Sequence, residues 1–65
     1  MYIRIRWSNG YLLIEDSYGH WYRYLYYTKK EALSMFKERF GYRYKHGITI
    51  YDETKRKEHA NGKHL

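Results

Sequence analysis

The amino-acid sequence predicts a small α+β domain with the element order βββαβ, in which a three-stranded antiparallel sheet packs on one helix and a short fourth strand follows. Three observations predict this fold class. Apolar and polar residues alternate near the amino terminus, an Asn-Gly pair interrupts that alternation, and a helix-capping sequence begins at Thr28. The chain has 65 residues, which is enough for one domain of this kind.

The first two strands are predicted to form a hairpin. Residues 3–8 alternate between apolar and polar side chains, a period of two that is typical of a strand with one buried face. Asn9-Gly10 then favours a type I′ turn, because both central residues of that turn need a positive φ. A two-residue turn sets the register with the second strand, Tyr11 to Asp16. The face predicted to be buried carries Ile3, Ile5, Trp7, Leu12 and Ile14.

The third strand is predicted from His20 to about Tyr27, and its register depends on the length of the preceding loop. A three-residue loop with Gly19 in a left-handed bulge position pairs Ile14 with Tyr22. The side chains that face the helix are then Tyr22, Tyr24 and Tyr26, and those that face outward are Trp21, Arg23 and Leu25. A four-residue loop exchanges the two faces, and it buries the Arg23 guanidinium at a cost of several kcal/mol. We favour the three-residue loop and keep the four-residue loop as the alternative.

A helix is predicted from the segment that begins at Thr28. Thr28-Lys29-Lys30-Glu31 has the form of a capping box, in which the threonine hydroxyl and the glutamate carboxylate accept from free backbone N–H groups. Apolar residues then recur with the spacing of a helix that packs on a sheet. They are Ala32, Leu33, Phe36 and Phe40. Gly41 is expected to end the helix in a left-handed conformation.

The remainder of the chain is predicted to add a short strand and a tail. Gly47 precedes the apolar stretch Ile48–Tyr51, which we interpret as a fourth strand that lies parallel to the first after a crossover through the helix. From Glu53 onward the sequence has no apolar periodicity. We therefore assign residues 1–52 to a single domain and residues 53–65 to a disordered basic tail.

Composition and charge restrict the classes of function. The chain carries 13 Lys and Arg against 7 Asp and Glu, a net charge of +6 that suits a nucleic-acid partner and excludes an acidic mimic of DNA. It has no cysteine for a disulfide or a thiolate zinc site, and His59 and His64 have no clustered ligands beside them. We therefore expect no metal and no cofactor. No apolar run is long enough to span a membrane, so we expect no membrane partner and a cytoplasmic location.

The sheet face that points away from the helix is the candidate binding surface. One helix covers only one face of a sheet, so large side chains on the other face stay exposed and mark an interaction site. Arginines contact phosphates or base edges and aromatic rings stack on bases, so an interleaved set of the two suits nucleic acid. The residues predicted on this face are Arg4, Arg6, Tyr11, Trp21 and Arg23. Arg43 and Lys45, which follow the helix, are further candidates for phosphate contacts, with a plain polar connection as the alternative.

The order of three strands and a helix that opens with Tyr27-Thr28-Lys29-Lys30-Glu31-Ala32 resembles two families of DNA-binding domain. These are the AP2-type domain and the amino-terminal, arm-binding domain of phage integrases, and the resemblance covers about residues 2–40. In those families the three-stranded sheet enters the major groove of DNA, and Arg and Trp residues on the strands make the contacts. The resemblance therefore implies contact roles for Arg4, Arg6, Trp21 and Arg23.

The sequence thus favours a small, non-enzymatic nucleic-acid-binding module whose partner is DNA or RNA. The alternative is a protein-interaction or homodimerising accessory protein, in which the same face is the interface and Arg4 forms a cross-strand pair with Glu15. No catalytic residue is predicted, because the sequence has no nucleophile elbow, triad spacing or glycine-rich phosphate loop. A small ribonuclease with His20 as its general base is a third alternative.

Overall fold

Four strands and a helix form the part of the chain that the computed structural model describes, residues 1–54. The elements are β1 (Tyr2–Ser8), β2 (Tyr11–Asp16), β3 (Trp21–Tyr24), α1 (Lys29–Arg39) and β4 (Thr49–Asp52). The strands form one mixed sheet in the order β3-β2-β1-β4, and α1 packs on one face of it. The predicted α+β fold with a fourth strand is therefore confirmed. Residues 55–65, most of the predicted tail, lie outside the described residues.

The β1–β2 hairpin has the predicted turn and register. Asn9 and Gly10 have φ values of 51° and 85°, the two left-handed positions of a type I′ turn. Ser8 pairs with Tyr11 directly across the turn, and the antiparallel pairing continues along both strands. This register places Ile3 and Ile5 of β1 with Leu12 and Ile14 of β2 on the face that α1 covers.

The core lies between that sheet face and the helix. It consists of Ile3, Ile5, Leu12, Ile14, Tyr24, Ala32, Phe36 and Tyr42. Trp7, which was predicted to belong to the same buried set, does lie on the inner face, because it pairs with Leu12. It is nevertheless half exposed. Trp7 lines a surface pocket together with Thr28 and Lys29, where the helix begins, so the helix covers only part of it.

The third strand has the favoured register. Ile14 pairs with Tyr22, as a three-residue loop requires, and Gly19 has a φ of 95°. The alternative register, which turns Arg23 towards the helix, is therefore wrong. Trp21 and Arg23 lie on the outer face of the sheet, as predicted.

The third strand ends earlier than predicted, at Tyr24. Tyr24 is buried beneath the helix. Tyr22 contacts the helix through Arg39, whose guanidinium carbon lies 4.2 Å from the centre of the Tyr22 ring. Tyr26 does not face the helix: its side chain is 95% exposed and its φ is 70°. The prediction for Tyr26 was wrong because the chain leaves the sheet after Tyr24 and turns towards the start of α1.

Tyr26→Gly is expected to stabilise the protein slightly. A non-glycine residue in the left-handed region costs about 1–2 kcal/mol, and the larger conformational entropy of glycine in the unfolded chain offsets about 0.5–1 kcal/mol of the gain. The exposed Tyr26 ring has little packing to lose. Urea denaturation should show a free energy of unfolding higher by up to about 1 kcal/mol. Tyr27→Gly is the control and should destabilise, and equal losses for both variants would contradict the expectation.

The helix begins and ends as predicted. Thr28 Oγ1 accepts from the Glu31 backbone N–H at 3.1 Å, and a Glu31 carboxylate oxygen accepts from the Thr28 N–H at 2.9 Å, which completes the capping box. Ala32 and Phe36 are fully buried on the sheet. Gly41 follows the last turn with a φ of 79°. The local signals at both ends of the helix were therefore sufficient to place it.

The connection from α1 to β4 folds back on the helix. The Tyr42 N–H donates to the Lys37 carbonyl at 2.6 Å, and the Lys45 N–H donates to the Tyr42 carbonyl at 3.1 Å. Tyr42 is buried, whereas Tyr44 is 83% exposed. After this turn β4 pairs with β1 in parallel, as predicted from the crossover through the helix.

Packing continues past β4 to the end of the described residues. Lys29 Nζ donates to Asp52 Oδ2 at 2.7 Å and to Thr54 Oγ1 at 3.1 Å. Thr54 is buried, and Glu53 contacts Arg4 on β1, so both residues pack with the domain although they were assigned to the tail. Among residues 1–54, no helix is long and apolar enough to cross a membrane.

Candidate functional site

The sheet face opposite α1 forms one continuous surface, here called the open face, which no other element of residues 1–54 covers. Paired residues on adjacent strands point to the same side of a sheet, so the register assigns the members of this face. They are Tyr2, Arg4, Arg6, Ser8, Tyr11, Leu13, Glu15, Trp21, Arg23, Thr49 and Tyr51. The five residues predicted from the sequence to lie here are all brought together on it.

A carboxylate near the centre of the open face pairs with two of its arginines. Glu15 Oε2 lies 3.5 Å from Arg4 Nη1 and 3.7 Å from Arg6 Nη2. Arg4 Nε also lies 3.3 Å from Glu53 Oε2, although these atoms are not aligned for a hydrogen bond. The open face and its edge therefore carry three positive charges and two negative ones. They belong to Arg4, Arg6 and Arg23 and to Glu15 and Glu53. The open face is therefore only weakly basic, unlike the chain as a whole.

Arg23 lies against two aromatic rings of the open face. Its guanidinium carbon is 5.1 Å from the centre of the Tyr11 ring and 5.7 Å from that of Trp21. Cation–π contacts at exposed sites contribute about 0.5–1 kcal/mol each. Trp21 remains 56% exposed. A large ring surface thus meets solvent directly beside a guanidinium group.

A second aromatic pair at the other side of the open face was not among the predicted site residues. The Tyr51 and Tyr2 rings meet edge to face with centres 5.7 Å apart, and the Arg4 guanidinium lies 5.6 Å from the Tyr2 ring. The alternation of side chains along β1 could have placed Tyr2 on the open face, because the next residue, Ile3, is buried on the other face. Tyr51 could not be assigned to a face from the sequence, because the register of a parallel pair is set by the crossover rather than by a turn.

Arg43 and Lys45 do not join the open face. They lie in the turn that follows α1, where Arg43 is next to Lys37 on the helix side of the sheet. Arg43 Nη1 is 3.8 Å from Glu38 Oε2, and its guanidinium lies 5.6 Å from the Tyr44 ring. The backbone turns here, and the Lys45 N–H donates to the Tyr42 carbonyl, so the segment that carries the two basic residues is not extended.

The buried carboxylate of Asp16 is the centre of a cluster of hydrogen bonds that closes the β2–β3 loop. Asp16 Oδ1 accepts from the backbone N–H groups of Tyr18 and His20 at 2.8 and 3.0 Å. Asp16 Oδ2 accepts from the Tyr42 hydroxyl at 2.5 Å and lies 3.0 Å from His20 Nδ1. The His20 ring stacks on Phe40, with centres 4.7 Å apart. These contacts give His20 a structural role in closing the loop, and its role as a general base stays a prediction.

Burial and hydrogen bonding shift the pKa of several carboxyl and phenol groups. Burial alone raises the pKa of Asp16, but the hydrogen bonds from Tyr42 and from the loop outweigh it, so this pKa lies below its usual value. Burial is likewise outweighed at Asp52, where hydrogen bonds from Lys29 and Thr54 lower the pKa to about 2. Burial and the hydrogen bond to Asp16 raise the pKa of Tyr42 to about 12.

Stability is expected to fall at both extremes of pH. The folded pKa values of Asp16 and Asp52 lie below the unfolded value of 3.8, so their contribution is present at neutral pH and is lost as the pH falls towards 2. The pKa of Tyr42 is raised from 10.0 to about 12, so its contribution is lost as the pH rises through that interval. Urea denaturation across this pH range measures both effects. Asp52→Asn should reduce the acid loss and Tyr42→Phe the alkaline loss, and unchanged pH profiles would contradict the assignment.

Metal ligation finds no support in the described part of the chain. Residues 1–54 contain no group of three or more His, Asp or Glu side chains placed to hold a metal ion. His59 and His64, which were considered as ligands, lie outside the described residues.

Comparison with known proteins leaves the function to be argued from this geometry. No protein-family model, curated protein or solved structure matches the chain. The resemblance to AP2-type and phage integrase domains therefore stays a prediction from the sequence. The open face is the feature of the described residues from which a function can be derived.

Proposed function

We propose that the protein is a small, non-enzymatic nucleic-acid-binding module and that the open face is its binding surface. The observation that carries this proposal is the exposed ring of Trp21 next to Arg23 and Tyr11. Rings of this kind stack on bases, and guanidinium groups hydrogen-bond to base edges or phosphates. The resemblance to two families that bind DNA through a three-stranded sheet supports the same assignment.

Positive charge supports the proposal in two ways, through attraction over long distances and through direct contacts. The net charge of +6 on the whole chain attracts a polyanion over long distances and speeds encounter. Near contact, the open face offers Arg6, whose guanidinium is exposed, and Arg23 beside its two rings. Long-range attraction therefore comes from the whole chain, and specific contacts come from the open face.

Titration of labelled DNA and RNA oligonucleotides at low salt tests the proposal. We expect binding that weakens as salt rises, with a slope of log K against log salt no steeper than about −3, because three arginines lie on the face. Arg6→Ala and Arg23→Ala should each weaken binding about tenfold, since each removes one charged contact. Arg43→Ala removes the same charge from the helix side and is the matched control.

Two results would count against the proposal. If Arg43→Ala weakens binding as much as Arg6→Ala, the total charge rather than the open face binds the ligand. If the protein binds neither DNA nor RNA at low salt, the protein is not a nucleic-acid-binding module.

Self-association is a second candidate, which the nearly balanced charges of the open face favour. Two copies related by a two-fold axis can place the arginines of one against Glu15 of the other, around the apolar Leu13 and Trp21. Light scattering at high protein concentration tests this alternative. It predicts a dimer that Trp21→Ala dissociates, and a strictly monomeric protein would exclude it.

A further inference from the structure

We infer that the ligand of the open face is single-stranded nucleic acid, and that Trp21 and Tyr51 stack on its bases at the two ends of one row of side chains. The inference rests on the proposed function. It adds the class of nucleic acid and assigns a binding role to Tyr51.

The row crosses all four strands of the sheet. Trp21 pairs with Glu15, Glu15 pairs with Arg4, and Arg4 pairs with Tyr51. These side chains therefore lie side by side on the open face, with an aromatic ring at each end and an arginine–glutamate pair between them. Three strand spacings separate the two rings, a distance of about 14 Å. That length accommodates about two or three bases laid along the row.

Arg4 within this row and Arg6 beside it are poorly placed to bind the backbone of a duplex. Arg4 lies within 3.5 Å of both Glu15 and Glu53, and Arg6 lies 3.7 Å from Glu15. A duplex-binding protein commonly neutralises about 6–10 phosphates with its cations. Since two carboxylates already offset most of the positive charge here, affinity has to come mainly from the rings.

Aromatic rings bind the flat faces of bases, which single strands expose. In a duplex each base is stacked between its neighbours, so a protein reaches only the base edges in the grooves. Trp21 and Tyr51 are 56% and 50% exposed, which leaves ring surface for a base. Arg23 contacts one ring and Tyr2 the other. These neighbours restrain the rings before binding and so reduce the entropy lost on binding.

The pair in the middle of the row suits the edge of a base. The Arg4 guanidinium donates hydrogen bonds and the Glu15 carboxylate accepts them, and both lie on the same face. Every base edge presents donors or acceptors that such a pair can meet. A phosphate, by contrast, would be repelled by Glu15.

Fluorescence titration distinguishes the two classes of nucleic acid. The chain has two tryptophans, and Trp7 lies on the inner face, so Trp7→Phe leaves Trp21 as the single reporter. In this background we would titrate an unstructured strand of about 12 nucleotides, as DNA and as RNA, and then the duplex of the same sequence. We expect the single strand to quench Trp21 and to bind at least about tenfold more tightly than the duplex.

Substitutions at the other end of the row test its geometry. Tyr51→Leu removes the ring and keeps an apolar residue, so affinity for the single strand should fall about tenfold, whereas Tyr51→Phe keeps the ring and the affinity. Tyr44→Leu is the matched control, because Tyr44 is highly exposed but lies in the turn after the helix. Circular dichroism shows whether each variant keeps the fold.

The outcomes separate this inference from the proposed function. Tighter binding of the duplex, or equal effects of Tyr51→Leu and Tyr44→Leu, would overturn this inference. The proposed function would still hold in that case if Arg6→Ala weakens the binding of nucleic acid. Absence of binding to either class would overturn both.

Discussion

Phe36→Ala is expected to lower the free energy of unfolding by about 3–5 kcal/mol, a large fraction of the total stability of a domain of this size. Phe36 is fully buried at the centre of the helix face that packs on the sheet. The centre of its ring lies 4.8 Å from that of Phe40 and 6.3 Å from that of Tyr42, so the substitution also removes contacts to the carboxyl-terminal end of the helix and to the turn that follows it. Truncation of a buried phenylalanine to alanine costs about 3–5 kcal/mol.

The small size of the domain makes that loss decisive. A folded chain of 65 residues has a total stability of roughly 3–10 kcal/mol. The structure has no disulfide to limit the unfolded state, since the sequence has no cysteine. A loss of about 3–5 kcal/mol therefore consumes the stability of a domain at the lower end of that range.

Circular dichroism and urea denaturation measure the effect. Phe36→Leu keeps most of the buried volume and should cost about 1.5 kcal/mol or less, which retains a folded protein for comparison. Met35→Ala is the matched control, because the neighbouring Met35 side chain is partly exposed and should cost far less. A Phe36→Ala protein as stable as the Met35→Ala protein would show that the core does not depend on this ring.

Most of the fold that the sequence predicted correctly depends on contacts between near neighbours in the chain, and the parallel pairing of β4 with β1, which followed from the helix crossover, is the exception. Asn9-Gly10 determines the hairpin register because a two-residue turn allows one pairing. Thr28 and Glu31 determine the start of the helix because the side chain of each accepts a hydrogen bond from the backbone N–H of the other. The register of β3 followed from the length of the loop before it and from the cost of burying the Arg23 guanidinium.

The errors lie where an element ends or where distant segments meet. Tyr26 continues the alternating pattern of β3, and the pattern alone does not show that the chain leaves the sheet two residues earlier. The position of Tyr51 depends on how β4 aligns with β1, which the helix crossover decides. Glu53 contacts Arg4 only after that alignment exists, so the partial neutralisation of the open face was also invisible in the sequence.

Asp16→Ala is expected to produce the second largest loss of stability, about 3 kcal/mol. Its carboxylate is buried and accepts hydrogen bonds from the Tyr18 and His20 backbone N–H groups and from the Tyr42 hydroxyl. The alanine variant leaves the buried Tyr42 hydroxyl without its acceptor, which costs about 1–3 kcal/mol, and the two part-buried loop N–H groups lose their hydrogen bonds to a charged group. Asp16 is joined to a residue 26 positions away, which is why the sequence did not reveal the cluster.

A double-mutant cycle apportions the loss between the loop and the tyrosine. Tyr42→Phe removes only the hydroxyl and should cost about 1.5 kcal/mol, because that bond is made to a charged group. The Asp16→Ala and Tyr42→Phe double variant should then lose less than the sum of the two single variants, by about 1 kcal/mol or more. Strict additivity would mean that the hydroxyl and carboxylate do not stabilise one another.

The same variants connect the cluster around Asp16 to the proposed binding surface. Asp16 closes the loop whose length sets the register of β3, and a slip of one residue would turn Trp21 and Arg23 towards the helix. Asp16→Ala should therefore weaken nucleic-acid binding even under conditions in which the variant is still folded. Tyr42→Phe keeps the hydrogen bonds within the loop and should keep the affinity, so equal binding by the two folded variants would show that the loop does not hold the open face in place.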